Sequence, residues 1–353
     1  MSLRPEPVAG RRPRKKRRAA VSPSAAPARV AAPDPALRVP RHGWQTVAAK
    51  ELADHVLSIR FVVLVLILGL AAAGAVYTAA GAIRDVASSV AGAPSLFLRL
   101  FTVAPEQFPP FVALVGFLGP LLGIAFGFDG VNGERAEGTL PRLLSQPIHR
   151  DDVINGKFVA GLAAIGLIIT AVTLIVAGIG VLQLGLVPAP QEIARLVVWD
   201  VLAIAYVGFW LAFALLCSVL LRRAATSALV AIAVWIVLTL FAALLVGIIA
   251  GFLAPAPTDA TTGQQIANLS LQQELARLSP NRLFEEATAA VLDPSVRTVG
   301  IVLPAQADRA VGSLLPIEQS LLVIWPQIVV LIALTALAFA IGYVAFMRQE
   351  VRA

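Results

Sequence analysis

Long apolar runs alternate with shorter polar segments along most of this chain. An α-helix of about 20 apolar residues crosses the hydrocarbon core of a bilayer, and six runs reach roughly that length. They are too long and too uniformly apolar for barrel strands, and lipid offers no partner for an unpaired backbone amide. The sequence therefore predicts an all-α membrane protein. The predicted spans are 59–80, 111–128, 158–182, 196–221, 226–253 and 321–346.

The longer polar segments that join the spans, 81–110 and 254–320, are predicted to lie outside the cell. Within the second, the stretch QQIANLSLQQELARL has apolar residues near helical spacing. Ser279 is a plausible N-cap for a further helix with Pro280 in its first turn, and Asp293–Pro294 would end it. We expect two short amphipathic helices outside the membrane.

The chain before the first span has two parts. Residues 1–42 are basic and rich in Pro and Ala, and they lack apolar periodicity, so we expect a disordered tail. From Gly43 onward the apolar residues share one helical face, and Trp44 suits the edge of a bilayer. An interfacial helix is predicted there, at the start of a six-span membrane domain covering 43–353.

The distribution of Lys and Arg predicts the orientation of the spans. With a cytoplasmic N-terminus, the inner segments 1–60, 129–157, 222–225 and 347–353 hold 21 of the 28 basic residues. Both termini are therefore expected in the cytoplasm of a prokaryotic cell whose plasma membrane holds the chain.

The stretch RRPRKKRR, Arg11 to Arg18, has the composition of a nucleic-acid-binding or nuclear-localisation segment. In a six-span protein a basic cytoplasmic tail is better explained by topology and by contact with anionic lipid. We predict membrane lipid as its partner and no nucleic acid.

Composition supports a membrane protein and gives no sign of an enzyme. The chain is 58% hydrophobic and 14% charged, against about a quarter charged in soluble domains. Cys217 is the one cysteine, and His42, His55 and His149 form no metal-site pattern, so no metal or cofactor is predicted. No P-loop motif and no evident nucleophile–base pair occurs in the sequence.

Asp200 is the one clear ionisable residue within a predicted span. A carboxylate inside a membrane is a functional candidate. Its place about one turn into the fourth span also fits a residue at the bilayer interface, and both interpretations stay open.

The polar break between the second and third spans reads GERAEGTLPRLLSQPIHRDDVINGK, residues 133–157, and is here named the elbow. Thr139 is a plausible cap for a short amphipathic helix whose leucines lie on one side, and Pro147 would end it. Asp151 or Asp152 would cap the helix that continues into the third span. A small apolar ridge surrounded by charge suits docking into a groove of another protein.

The spacing E-x-x-x-G-T-L-x-x-L-L-S-x-P-x-x-R-x-x-x-x-x-G-K, from Glu134 to Lys157, resembles the permease subunits of type-two ABC exporters. Lys50–Glu51–Leu52 is similar to the interfacial helix of that family. LSPNRLFEEA, residues 278–287, is similar to an outer segment of the branch that includes gliding-motility and copper-enzyme-maturation permeases. The likeness covers roughly 43–350, and the basic tail and Pro141 depart from it.

The resemblance implies the transmembrane half of an ATP-driven exporter, with ATP hydrolysis on a separate ATPase subunit. It implies two ATPase copies and a second permease chain, identical or related. It does not identify the exported substrate. It also implies a cytoplasmic coupling helix in the elbow and a second ATPase contact between spans four and five. The implied docking residues are Glu134, Glu137, Gly138, Thr139, Leu140, Leu143, Leu144, Pro147, Arg150, Lys157, Arg222 and Arg223.

Two other classes of function stay open on the residues alone. A non-transporting membrane scaffold or sensor would bind an envelope partner through the outer segment 254–320. A secondary carrier is disfavoured by the scarcity of charge near the middle of the spans and by the absence of evident repeats.

Overall fold

A computed structural model describes residues 43–85, 95–103, 108–139, 149–185, 187–257, 259–298 and 314–349. The predicted tail, and the docking residues Leu140, Leu143, Leu144 and Pro147, lie outside the described residues. Within the described ranges every regular element is a helix.

The helices follow the order of the apolar runs. They are α1 Gly43–Val56, α2 Ile59–Asp85, α3 Leu96–Thr102, α4 Phe111–Gly127, α5 Asn132–Ala136, α6 Arg150–Leu184, α7 Pro190–Leu220, α8 Ala224–Ile236, α9 Ala242–Leu253, α10 Thr262–Ala276, α11 Pro280–Leu292 and α12 Ile317–Arg348. A π-helical segment, Val237–Phe241, joins α8 to α9.

The prediction of six membrane-spanning helices is confirmed: six helices are long and apolar enough to cross a bilayer. Spans 1 to 4 are α2, α4, α6 and α7, span 5 is α8 with the π segment and α9, and span 6 is α12. Several helices extend beyond their apolar runs; α6, for example, begins at Arg150, eight residues before the run at 158. Polar residues at a helix end can stay at the water interface while the helix continues.

Helix α7 lies at the centre of the bundle and contacts α4, α6, α8, α11 and α12. Its large aromatic residues Trp199, Tyr206 and Trp210 are fully buried. In the most apolar part of α7, 72% of residues are buried, against 11% in span 5. Span 5 therefore presents most of its surface outward.

Three glycines at four-residue spacing let α4 approach the α7 backbone. A Cβ at Gly123 would lie 2.6 Å from Val207 O, and one at Gly127 would lie 2.8 Å from Leu211 O. Gly119 faces the Val207 side chain in the same way. Small residues with this spacing are a common means of close helix packing in membranes.

The two helices between spans 5 and 6 differ in burial. Helix α10 has no buried residue, whereas most of α11 is buried against α4, α7 and α12. Ser279 takes the N-cap position of α11, but its hydroxyl donates to Leu238 O of the π segment instead of capping the helix. α11 is thus part of the packed core, at the ends of the spans opposite the elbow.

Candidate functional site at the elbow

Lys157, at the end of the elbow, is the centre of a buried ion-pair cluster. Its ammonium lies 2.7 Å from Glu134 Oε1 and 3.1 Å from Glu51 Oε1. The three side chains come from α6, α5 and α1, and each is at most one-fifth exposed. The cluster joins both ends of the elbow to the first helix.

Gly156 explains how α1 comes so close to α6. A Cβ there would lie 2.7 Å from the Val47 side chain and 3.0 Å from Trp44 O. The adjacent residues Gly156 and Lys157 therefore both contact α1. The glycine leaves room for the close approach of α1, and the lysine forms an ion pair with Glu51 of that helix. The two sequence stretches that resembled a permease family, around 50–52 and 133–157, are in contact.

Beside this cluster lies a cleft of about 670 Å³ lined by charged residues of α1, α5 and the adjoining turns. Arg60, at the start of span 1, forms an ion pair with Asp129 across it. Glu137, Gly138 and Thr139, where the elbow leaves the described residues, are exposed. Gly138 has φ +67°, a left-handed conformation that favours glycine.

Two groups of α1 at this cleft have shifted pKa values. Burial lowers the pKa of His55, whose ring packs edge-on against Phe126 at 5.0 Å. The hydrogen bond from Lys50 to Asp54 raises the pKa of Lys50, although burial opposes that shift. Lys50 therefore stays a cation at neutral pH, while His55 is held in its neutral form.

Gln349, at the end of span 6, connects both ends of the elbow. Its side-chain oxygen accepts from Arg135, and its backbone oxygen accepts from Arg150 at 3.1 Å. Its amide nitrogen donates to Val219 O of span 4 at 2.8 Å. The last span is thus fastened to the elbow and to span 4 at one point.

The end of span 4 is joined a second time, through Ser218, to the start of α5, which leads into the elbow. This buried hydroxyl accepts from the backbone amides of Val131 and Asn132 at 3.0 and 3.2 Å. The Asn132 side chain lies 3.5 Å from Leu221 O, next to the short turn that carries Arg222 and Arg223. Both arginines of that turn are exposed on the elbow side.

The structure brings only part of the predicted docking set to the surface. Glu134 and Lys157 bind each other, Arg150 is half-buried against Gln349, and Glu137, Gly138, Thr139, Arg222 and Arg223 are exposed. Sequence reasoning missed Ser218, Asn132 and Gln349. No motif marked them, since ordinary polar residues at helix ends have no distinctive spacing.

The segment LSPNRLFEEA contributes a second set of contacts, at the opposite ends of the spans. Tyr206 of α7 stacks on Phe284 with ring centroids 4.4 Å apart, and its hydroxyl lies 2.8 Å from Gly116 O and 2.5 Å from Asn281 Oδ1. Buried Glu286 accepts from Gln327 of span 6 at 3.0 Å. This segment fixes α11 against spans 2, 4 and 6.

In the part of the chain that the structure describes, no three His, Cys, Asp or Glu side chains are grouped as metal ligands. Asp200 accepts a 2.6 Å hydrogen bond from Thr170, which connects span 4 to span 3.

Comparison with known proteins gives a family. The model of the ABC-2 family transporter protein matches residues 45–351. A "Probable ABC transporter permease protein NosY" of Pseudomonas aeruginosa is 32% identical over 144 residues, which are 40% of this chain and 46% of that protein. A protein of the same name from Stutzerimonas stutzeri is 30% identical over 145 residues, 40% of this chain and 51% of that protein.

The matched region spans about half the length of these curated relatives. Together with six apolar helices, the bacterial relatives identify a multi-pass protein of the bacterial plasma membrane. The match over nearly the whole length, on a six-span bundle with an elbow between spans 2 and 3, shows that this chain belongs to the ABC-2 transporter family.

Proposed function

We propose that this chain is the transmembrane subunit of an ATP-binding-cassette exporter, and that a separate ATPase subunit docks on the elbow. The observation that carries the proposal is the way the elbow is fastened. Contacts at Lys157, Ser218 and Gln349 tie it to α1 and to spans 2, 3, 4 and 6. A force applied to the elbow would therefore reach most of the bundle.

Within the predicted docking set we assign two different roles. Glu137, Gly138, Thr139, Arg222 and Arg223 are exposed and would contact the ATPase, together with the ridge formed by Leu140, Leu143, Leu144 and Pro147. Glu134, Lys157 and Arg150 are engaged within the chain and would hold the elbow rigid. Rigid positioning of an interface favours binding because less conformational freedom is lost on association.

ATP hydrolysis would belong to the partner, so this chain itself would not be an enzyme. The assembly would hold two ATPase copies and a second permease chain, identical or related. Of the residues in the most apolar part of span 5, 11% are buried, which leaves apolar surface that the second permease chain would cover.

The docking role can be tested by Leu143→Asp combined with Leu144→Asp. Charge on the ridge should abolish co-purification of the ATPase encoded beside this chain, while the permease still enters the membrane. As a control, Leu278→Asp, at an exposed leucine on the opposite end, should leave the ATPase bound. Equal ATPase recovery with the elbow variant and the wild type would refute docking on the elbow.

The proposed orientation has its own test. Cys217 is buried, so cysteines introduced at Ser145 and at exposed Ser270 should be the accessible thiols. A membrane-impermeant maleimide added to intact spheroplasts should label the Ser270→Cys variant and label Ser145→Cys only after lysis. The reverse pattern would overturn the orientation.

A second candidate function is a membrane scaffold that binds an envelope partner through residues 254–320. Helix α10 favours it, since none of its residues is buried. If no ATPase co-purifies with the wild-type permease and α10 alone binds an envelope partner, the scaffold function is correct and the exporter function is wrong.

A further inference from the structure

A second cleft, of about 580 Å³, lies at the ends of the spans opposite the elbow. It is bounded by the first turns of α4, by the π segment of span 5 and by α11. Phe117 and Phe284 contribute aromatic surface to its walls, and small and aliphatic residues of α4 and α11 supply much of the rest. An apolar cavity with a few polar groups is the usual form of a small-molecule site.

The charged groups that line this cleft are acidic. Glu285 and Asp293 both line it, and none of its lining residues in the described ranges is a lysine, arginine or histidine. Arg282 lies 3.5 Å from Glu285 but lines the neighbouring cleft instead. Asn281 donates to Glu285 Oε1 at 3.1 Å, which orients the carboxylate. The cleft thus combines aromatic walls with two carboxylates along α11.

The π segment adds a polar group with no assigned use. Thr239 lies in it and lines both this cleft and the neighbouring one of about 610 Å³. Its hydroxyl is buried and has no hydrogen-bond partner among the described residues. π-helical turns within α-helices often occur at functional sites, and this one brings an unsatisfied hydroxyl to the cleft wall.

We propose that this cleft binds a free cationic amphiphile, an organic ammonium group attached to an apolar body. Glu285 would bind the ammonium, and the aromatic rings would contact the apolar body and one face of the cation. The neighbouring span 5 is apolar and little buried, so such a molecule could enter from the bilayer. The site is separate from the elbow, and binding there does not require an ATPase.

The experiment uses the full chain in phosphatidylcholine nanodiscs and a dodecylammonium probe that carries a diazirine in its chain. After irradiation, labelled peptides are identified by mass spectrometry. Saturable labelling is expected on Phe111–Gly127 and Pro280–Leu292, with competition by unlabelled dodecylammonium. Glu285→Gln should raise the half-saturating concentration about five-fold, the size expected for one partly exposed ion pair. Thr239→Val, which removes the free hydroxyl, should raise it in the same direction.

A matched control is available in Glu274→Gln. Like Glu285, Glu274 is an exposed helix carboxylate paired with an arginine three residues away, but it does not line this cleft. It should leave labelling unchanged. The proposal is overturned if the dodecanol analogue labels the same peptides equally, or if Glu285→Gln and Glu274→Gln behave alike. Displacement of the probe by phosphatidylethanolamine would also overturn it, since the occupant would then be a lipid headgroup.

Discussion

The ammonium of Lys157 lies 2.7 Å from a carboxylate oxygen of Glu134, so the two ends of the elbow are in direct contact. The two residues are 23 positions apart in the sequence, and their pairing closes the elbow into a loop with a fixed base. Glu51 of α1 completes the cluster at 3.1 Å from the same ammonium. The proposed docking ridge is therefore held between two ends that are bound to each other.

Lys157→Met should strongly destabilise the protein. It would leave Glu134 without its cation and Glu51 with only the exposed Lys50, 3.3 Å away, and removing one partner of a buried pair costs about 3–5 kcal/mol. Thermal unfolding of the purified permease in detergent measures the effect. Lys50→Met removes exposed contacts with Asp54 and Glu51 but leaves Glu51 paired with Lys157, and it should cost no more than about 1 kcal/mol. Similar losses of stability for the two variants would show that the buried cluster at Lys157 stabilises the protein no more than an exposed ion pair does.

Gly123→Ala should separate span 2 from span 4. The new methyl group would lie 2.6 Å from Val207 O and 2.9 Å from Leu211 N, and backbone atoms of a central helix cannot move aside cheaply. Overpacking of this kind costs about 1–3 kcal/mol. Gly69→Ala is the matched control, since nothing lies within 4 Å of a Cβ at that position. If both variants unfold at the wild-type temperature, the close approach of α4 and α7 is incorrect.

Glu286→Gln should loosen α11. The buried carboxylate binds Gln327 of span 6 and pairs with Arg277 and Arg282, so its neutralisation weakens all three contacts. A cost of about 1–3 kcal/mol is expected for a buried acceptor whose charged bonds are weakened. Hydrogen exchange should become faster over 280–292, whereas Glu285→Gln, at an exposed neighbour, should not change it. Unaltered exchange in Glu286→Gln would show that the contacts of Glu286 do not hold α11 in place.

Because His55 is buried, we expect the folded protein to lose stability at acidic pH. Because burial lowers its pKa below the ordinary 6.5, the unfolded chain takes up the proton more readily than the folded chain. The stability that depends on neutral His55 is complete above about pH 6.5 and is lost progressively as the pH falls toward the folded-state pKa. Unfolding temperatures measured from pH 8 to pH 5 should show this decline.

His55→Phe keeps an aromatic ring against Phe126 and removes the titrating group, so its acid-dependent decline should be smaller. His149→Asn changes another histidine at a helix N-cap and should keep the wild-type decline. If His55→Phe follows the wild-type curve at every pH, the titrating group lies elsewhere.

The sequence predicted the spans well because each is decided by local composition: a run of apolar residues longer than a bilayer core forms a helix in lipid. The glycines at 119, 123 and 127 also carried a readable signal, since their four-residue spacing marks one helix face.

Other features depend on which spans become neighbours, and a linear pattern does not contain that information. Glu134 and Lys157 were predicted to face the ATPase, and the structure pairs them with each other because α1 and α5 meet at α6. Helix α11 was expected outside the membrane, and its burial follows from partners on spans 2, 4 and 6. The structural role of Gln349 depends on its hydrogen bonds with Arg135 and Arg150, which lie far away in the sequence.

Arg195 shows what such pairing means during synthesis. It sits in the fourth span, 3% exposed, and its guanidinium donates to Val291 O, Leu315 O and the Ser320 hydroxyl. All three acceptors are translated about a hundred residues after the arginine itself. A ribosome-bound chain that has inserted only four spans therefore carries the guanidinium without any of these acceptors. Val291 and Leu315 precede α12, so a product truncated just before α12 still has their carbonyls and lacks only the Ser320 hydroxyl. The last of the three contacts therefore forms only after the sixth span has been made.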